Sequence, residues 1–259
     1  MVKKAYEIFT KNLRQISLLI IMIVFPLNAA SWFLERWFEK AGSVDAFSAK
    51  IIENPAYIPN AEDFQTLKTI MIYLLASVVI SVLLTIYTLA IVKIVCTELN
   101  PLGGPVTVKK CLGFAFGCLP RYILAALAMS ALVFAGSFMF VIPGLVIMVI
   151  SLPLVYFVAF SDKTGFQAEF LTIKTTFKRP GILLWMLIPA LLSQLFQGAL
   201  QELIGIFEIS NVYVSGLISV IVITLANIFL ALLDIVTPLA IGVKAGFIQE
   251  KEAPENGEN

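Results

Sequence analysis

Asp234 is the side chain of this 259-residue chain best placed to do chemistry in a membrane, because it closes an uncharged run that begins at Val212. A carboxylate in or at the edge of hydrocarbon is costly, so it marks an ion pair, here with Lys93 or Lys244, or a proton carrier. A carboxylate resting at the cytoplasmic interface gives the same pattern. Gln194, Gln197, Gln201 and Glu202 are spaced to fall on one helical side, where they line a polar cavity near the outer face or hydrogen-bond neighbouring helices. Asn227 is a further polar group inside an apolar run. Histidine is absent, which removes His-based triads, imidazole metal sites and the usual switch near neutral pH. Cys96, Cys111 and Cys118 lack C-x-x-C spacing and read as small packing residues. Leu102-Gly103-Gly104-Pro105 lacks a phosphate-loop lysine and reads as a turn. No catalytic, cofactor or metal site is expected, nor any nucleic-acid partner.

The elements that carry these residues are transmembrane helices. With 59% apolar and 14% charged residues and a mean hydropathy of +0.95, the chain is far from soluble composition. Apolar runs predict an all-α fold of six spans, at about 16–34, 67–92, 122–141, 145–160, 182–204 and 212–234. A signal peptide fits the start less well, since Asn28 sits poorly before a cleavage site and the apolar pattern continues to Leu34. Residues 1–248 form one membrane domain with an extracytoplasmic loop at 35–66, and the acidic 249–259 tail is expected to be disordered. Ser77, Ser81, Thr85 and Thr88 form a small, hydroxylated packing stripe on the second span.

Spans three and four are joined by almost nothing. Ile142-Pro143-Gly144 predicts a type II reversal, with proline supplying φ near −65° and Gly144 a positive φ. Three basic amphipathic helices are expected on the cytoplasmic surface. Their apolar stripes are Val2, Tyr6, Phe9 and Leu13; Val108, Leu112, Ala115 and Leu119; and Phe166, Phe170, Ile173 and Phe177. Lys109 and Lys110 flank the second, and Lys174, Lys178 and Arg179 lie on or near the opposite face of the third. The unit is then interfacial helix, span out, span back, three times in parallel. With both termini cytoplasmic, only Arg36, Lys40, Lys50 and Lys68 of the 18 basic residues fall outside, as the positive-inside rule requires. The clustered lysines make membrane lipids, chiefly anionic ones, the expected partners, with a protein partner as a further possibility.

Phe140-Val-Ile142-Pro143-Gly144-Leu145, then Ser161-Asp162-Lys163-Thr164-Gly165, Ala168-x-x-x-Thr172 and Lys178-Arg179-Pro180-Gly181, resembles the glycerophosphoryl diester phosphodiesterase membrane-domain superfamily. Asp162 stands where Glu is usual and Thr172 where Ser is usual; the match covers about 138–181. The resemblance implies a six-span protein of the bacterial cytoplasmic membrane, of a group whose membrane part has no settled biochemical role. Some members carry a soluble phosphodiesterase domain after that part. About a dozen residues follow the last helix here, so no catalytic residue carries over. The expected function is non-enzymatic, as a scaffold, envelope-maintenance or lipid-associated protein, with a transporter or permease component as the alternative.

Overall fold

A computed structural model describes residues 2–40, 49–50, 52–53, 60–99, 106–139, 141–150, 153–160, 165–206 and 212–244. The described residues are almost entirely helical, with no strand among them. In order these are α1 (Val2–Lys11), α2 (Leu13–Leu19), a π-helical turn at Ile20–Val24, α3 (Phe25–Lys40), α4 (Ala61–Leu99), α5 (Val108–Met139), α6 (Val141–Ile150), α7 (Leu154–Phe160), α8 (Gly165–Lys178), α9 (Pro180–Ile206), α10 (Val212–Ala231), a second π-helical turn at Leu232–Val236, and α11 (Thr237–Lys244). Five stretches are long and apolar enough to cross a membrane: Leu13–Glu39, Asp63–Leu99, Val108–Ser137, Pro180–Ile204 and Tyr213–Val243. The protein is therefore all-helical and built for a bilayer. Leu74, Leu75, Val78 and Val79 on α4 and Leu191 and Leu195 on α9 are exposed, presenting apolar surface that lipid chains would cover.

Local chemistry explains where the helices begin. Asn60 and Asp63 form a reciprocal cap, the Asp63 amide donating to Asn60 Oδ1 at 3.0 Å and the Asn60 amide to Asp63 Oδ2 at 2.8 Å. That cap starts α4 at Ala61, six residues before the expected span, and α3 runs on to Lys40, so helix replaces both ends of the expected 35–66 loop. Thr107 caps α5 by accepting from the Lys110 amide at 3.4 Å, and Pro180 opens α9, where its missing N–H costs nothing. The second expected interfacial helix is not separate. α5 runs unbroken from Val108 through Pro120, and Cys111, Ala115 and Cys118 are its buried face while Val108, Leu112 and Leu119 are half-buried.

The hairpin differs from the expected turn. Pro143 and Gly144 lie in the first turns of α6, where proline is tolerated, and Gly165 is the one glycine with positive φ among the described residues. Gly144 serves close approach instead. A Cβ there would stand 2.9 Å from the Ser137 backbone nitrogen and 3.0 Å from Ser137 Cβ, and one on Gly136 would stand 3.1 Å from the Gly144 nitrogen. The return segment is also not one helix: α6 ends at Ile150 and α7 starts after Pro153, neither long enough to span alone.

The main core lies at one end of the bundle. Ala5, Ile8 and Phe9 of α1 pack with Ile16 and Leu19 of α2, the 89–95 stretch of α4, Cys111 and Ala115 of α5, Tyr156 of α7 and Leu239 of α11. Lys11 Nζ meets Glu98 Oε2 at 2.6 Å at the same end. Of the expected stripe, Val2, Tyr6 and Leu13 are exposed while Phe9 is buried, and the face turned to protein carries Ala5, Ile8 and Asn12 beside it. Far along the helices, Trp32 meets Tyr213 edge-on at 6.3 Å and Phe38 stacks on Tyr73 at 4.3 Å. Gly216 leaves room for the Trp32 ring directly on the α10 backbone. The 249–259 tail lies outside the described residues.

Candidate functional site

Two places combine chemistry with geometry. The first surrounds Asp234, which sits in the π-helical turn between α10 and α11. A π turn adds a residue to the helical repeat and turns side chains off the regular register, which is why such turns recur at functional positions. Asp234 is half-buried and lines a cavity of about 130 Å³ with Pro153, Tyr156, Leu183, Met186, Leu187, Ala190 and Pro238. The Tyr156 hydroxyl donates to the Asp234 carbonyl at 3.3 Å, tying α7 to the turn and leaving the carboxylate for the cavity. The wholly buried Ser193 hydroxyl lies near the carboxylate without forming a well-shaped hydrogen bond, and Tyr87 approaches from α4.

The expected ion pair with Lys93 is not formed: Lys93 Nζ lies over the Phe114 ring, 5.2 Å from its centroid. The Lys244 side chain lies outside the described residues. Among those residues the ion pairs are Lys11 with Glu98, Arg36 with Glu39 and Lys50 with Asp63.

The second place is α8. At 3.6 residues per turn Ala168, Thr172 and Thr176 share one side with Glu169 beside them, and these four are buried against the protein. Ala168 and Thr172 are 0% exposed, whereas Phe166, Phe170 and Phe177 are 51%, 58% and 66% exposed. The aromatic stripe therefore faces outward. Small residues let the α8 backbone approach α5, Thr172 donates back to the Ala168 carbonyl at 2.9 Å, and Thr176 reaches the Ile150 carbonyl at 3.3 Å. Lys174, Lys178 and Arg179 are exposed as well. Helical spacing puts Lys174 within a quarter-turn of the three phenylalanines and Lys178 within about a third of a turn, both on the same outward half and not on the opposite face.

No protein-family model matches the chain, and comparison with curated proteins and with solved structures gives no match.

The remaining expected residues are scattered. Gln194, Gln201 and Glu202 are exposed on α9, while Gln197 and Asn227 are half-buried; none lines the Asp234 cavity. Across α3 and α10 the polar link is Asn28 Nδ2 donating to Thr224 Oγ1 at 3.2 Å. Thr85 and Thr88 bond back to carbonyls of their own helix, at 3.0 Å and 3.4 Å. Lys109 and Lys110 are exposed at the start of α5. Ile142 is in the first turn of α6, and nothing further follows for its side chain. None of the three cysteines forms a disulfide, and Cys111 and Cys118 are buried.

Sequence reasoning missed Tyr156 and Met186 at the cavity and Ser193 near the carboxylate, which look like ordinary members of apolar runs. It also missed buried Glu169. The signal for Glu169 was available, since the Ala168, Thr172, Thr176 spacing marks the small face that docks in a membrane protein.

Proposed function

We propose that the protein is a non-enzymatic, lipid-associated integral membrane protein of scaffold or envelope-maintenance type, with six crossings and both termini on the cytoplasmic side of a bacterial inner membrane. The observation that carries this reading is the outward half of α8, where exposed phenylalanines and lysines stand together. Aromatic rings enter the acyl boundary while lysines extend to the headgroups, and each cation near an anionic surface contributes on the order of 1 kcal/mol. Lys109 and Lys110 add two further exposed cations. In this reading α6 and α7 together make the fourth crossing, with the Pro153 break between them. The contact of Tyr156 with Asp234, at the end where Lys11 meets Glu98 and α1 packs on α11, supports a return to the starting side. Kinship with the glycerophosphoryl diester phosphodiesterase membrane domains belongs to the same proposal. The burial of Ala168 and Thr172 gives that motif a packing role.

The second reading, a transporter or permease component, is favoured by the Asp234 cavity. A polar path through Ser77, Ser81, Thr85, Asn227, Gln194 and Glu202 would carry it, and the Thr85 hydroxyl, which bonds within its own helix, adds no support.

The lipid reading is tested by native mass spectrometry of parent and a Lys109→Gln, Lys110→Gln, Lys174→Gln, Lys178→Gln variant. The variant is expected to retain less anionic lipid, with the difference shrinking as salt rises. Equal retention by a correctly inserted variant would reduce the charges to topogenic signals. Orientation is tested separately with single cysteines in a cysteine-free background. Position 62 should react with a membrane-impermeant thiol reagent in intact cells, and positions 107 and 167 should not. External labelling at 167 would overturn the topology.

A further inference from the structure

We propose that the Asp234 cavity is a binding site for a small alkylammonium group. An ionised carboxylate on a cavity wall inside a span is stabilised by a positive partner, and the cavity supplies room for one to enter. Its chemistry narrows the class. The site offers one carboxylate on walls made of Leu183, Met186, Leu187, Ala190 and two prolines. A divalent metal requires several oxygen ligands, so this donor set suits it poorly. An alkylammonium needs one anion for its charge and apolar surface for its carbons, and the Tyr156 ring on the same wall adds attraction for a cation.

Size narrows it further. A cavity of about 130 Å³ is close to the ~150 Å³ that holds benzene in an engineered core, so roughly four to six heavy atoms fit. Position points to the source. Leu183 is one turn from the start of α9, and Pro238 lies just past the turn that carries Asp234, at the end of the bundle where Lys11 meets Glu98. An ammonium group therefore enters from near the membrane surface, either as a free amine or as the ethanolamine headgroup of a lipid. The inference is independent of the basic surface on α8, which selects the opposite charge.

The test uses the full chain, purified and reconstituted into nanodiscs. Propylammonium is titrated calorimetrically into protein in phosphatidylglycerol nanodiscs, with n-propanol as the uncharged control. Retention of phosphatidylethanolamine is followed by native mass spectrometry. Saturable propylammonium binding is expected, weakened at least roughly tenfold by Asp234→Asn and not reproduced by propanol. Ala190→Leu, which fills the cavity from α9 and leaves the carboxylate in place, should abolish binding, so the result does not depend on one variant folding. If propylammonium binds and the lipid is not retained, the source is a free amine. If ethanolamine lipid is retained in an Asp234-dependent way and propylammonium does not bind, the source is the headgroup. Absence of both in folded parent protein, or equal binding by folded Asp234→Asn, would overturn the proposal. The Lys→Gln variant should bind propylammonium normally, so the two ideas fail separately.

Discussion

Gly144→Leu is expected to lower the folded yield of the protein sharply, while Pro143→Ala is expected to be mild. The distinction follows from how α5 and α6 meet. A Cβ on residue 144 comes within 2.9 Å of a backbone nitrogen, and backbone cannot step aside as the end of a flexible side chain can. The helices must separate, and their packing is lost along the contact. Overpacking of this kind costs up to about 3 kcal/mol or more, a large share of the stability of most domains. Pro143 lies in the first turn of its helix, where alanine is equally acceptable. Had the position been a type II turn, both substitutions would act on the same φ,ψ requirement. Size-exclusion profiles and thermal unfolding in mild detergent separate the cases. Gly144→Ala should fall between, and Ser137→Ala should relieve only its side-chain share of the clash. A wild-type profile for Gly144→Leu would rule out the close approach.

Ala168→Leu should undock α8, and Phe170→Ser should leave its docking intact. Ala168 is fully buried with Ala125, Leu154 and Val158, so three added carbons have nowhere to go and cost roughly 1–3 kcal/mol. Phe170 touches little protein, so its loss acts on the membrane side. The expected readouts are opposite: new protease cleavage near α8 for Ala168→Leu, and weaker lipid retention with unchanged cleavage for Phe170→Ser. A stable Ala168→Leu protein with an unstable Phe170→Ser would reverse the orientation, with the phenylalanines packed against protein.

Some of this was readable from residues alone. Long uncharged runs cannot be folded any other way in lipid, because every backbone N–H and C=O must be satisfied within its own segment or a closed sheet. Hence the five long apolar helices fall where composition put them. The helix ends were less legible: Asn60 fell inside the expected 35–66 loop, but with Asp63 three residues later it makes a cap that lengthens α4. The break before α7 at Pro153 was hidden inside an apolar run that periodicity cannot divide.

Facing was legible only in part. The apolar stripes of α1, α5 and α8 were read as faces laid on the membrane surface, which left open the faces that dock on protein. In a membrane the lipid is as apolar as leucine, so burial is decided by which face lets backbones come close. Ala168, Thr172 and Thr176 win that contest over Phe166, Phe170 and Phe177, and Ala5 and Ile8 win it over Val2 and Tyr6. Gly144 was correctly marked as special but for the wrong reason, since a positive φ and a close approach both demand glycine. Asp234 was visible because a carboxylate beside an apolar run needs no partner to be noticed. Its cavity was not, because Pro153, Tyr156, Met186 and Ala190 come from separate segments and carry no polar signature. The sequence by itself determined that the chain is helical, apolar and polarised in its charge, for these follow from each segment's own transfer energy. Which faces dock, and what surrounds Asp234, only the tertiary structure decided, because those depend on contacts between helices that no single segment encodes.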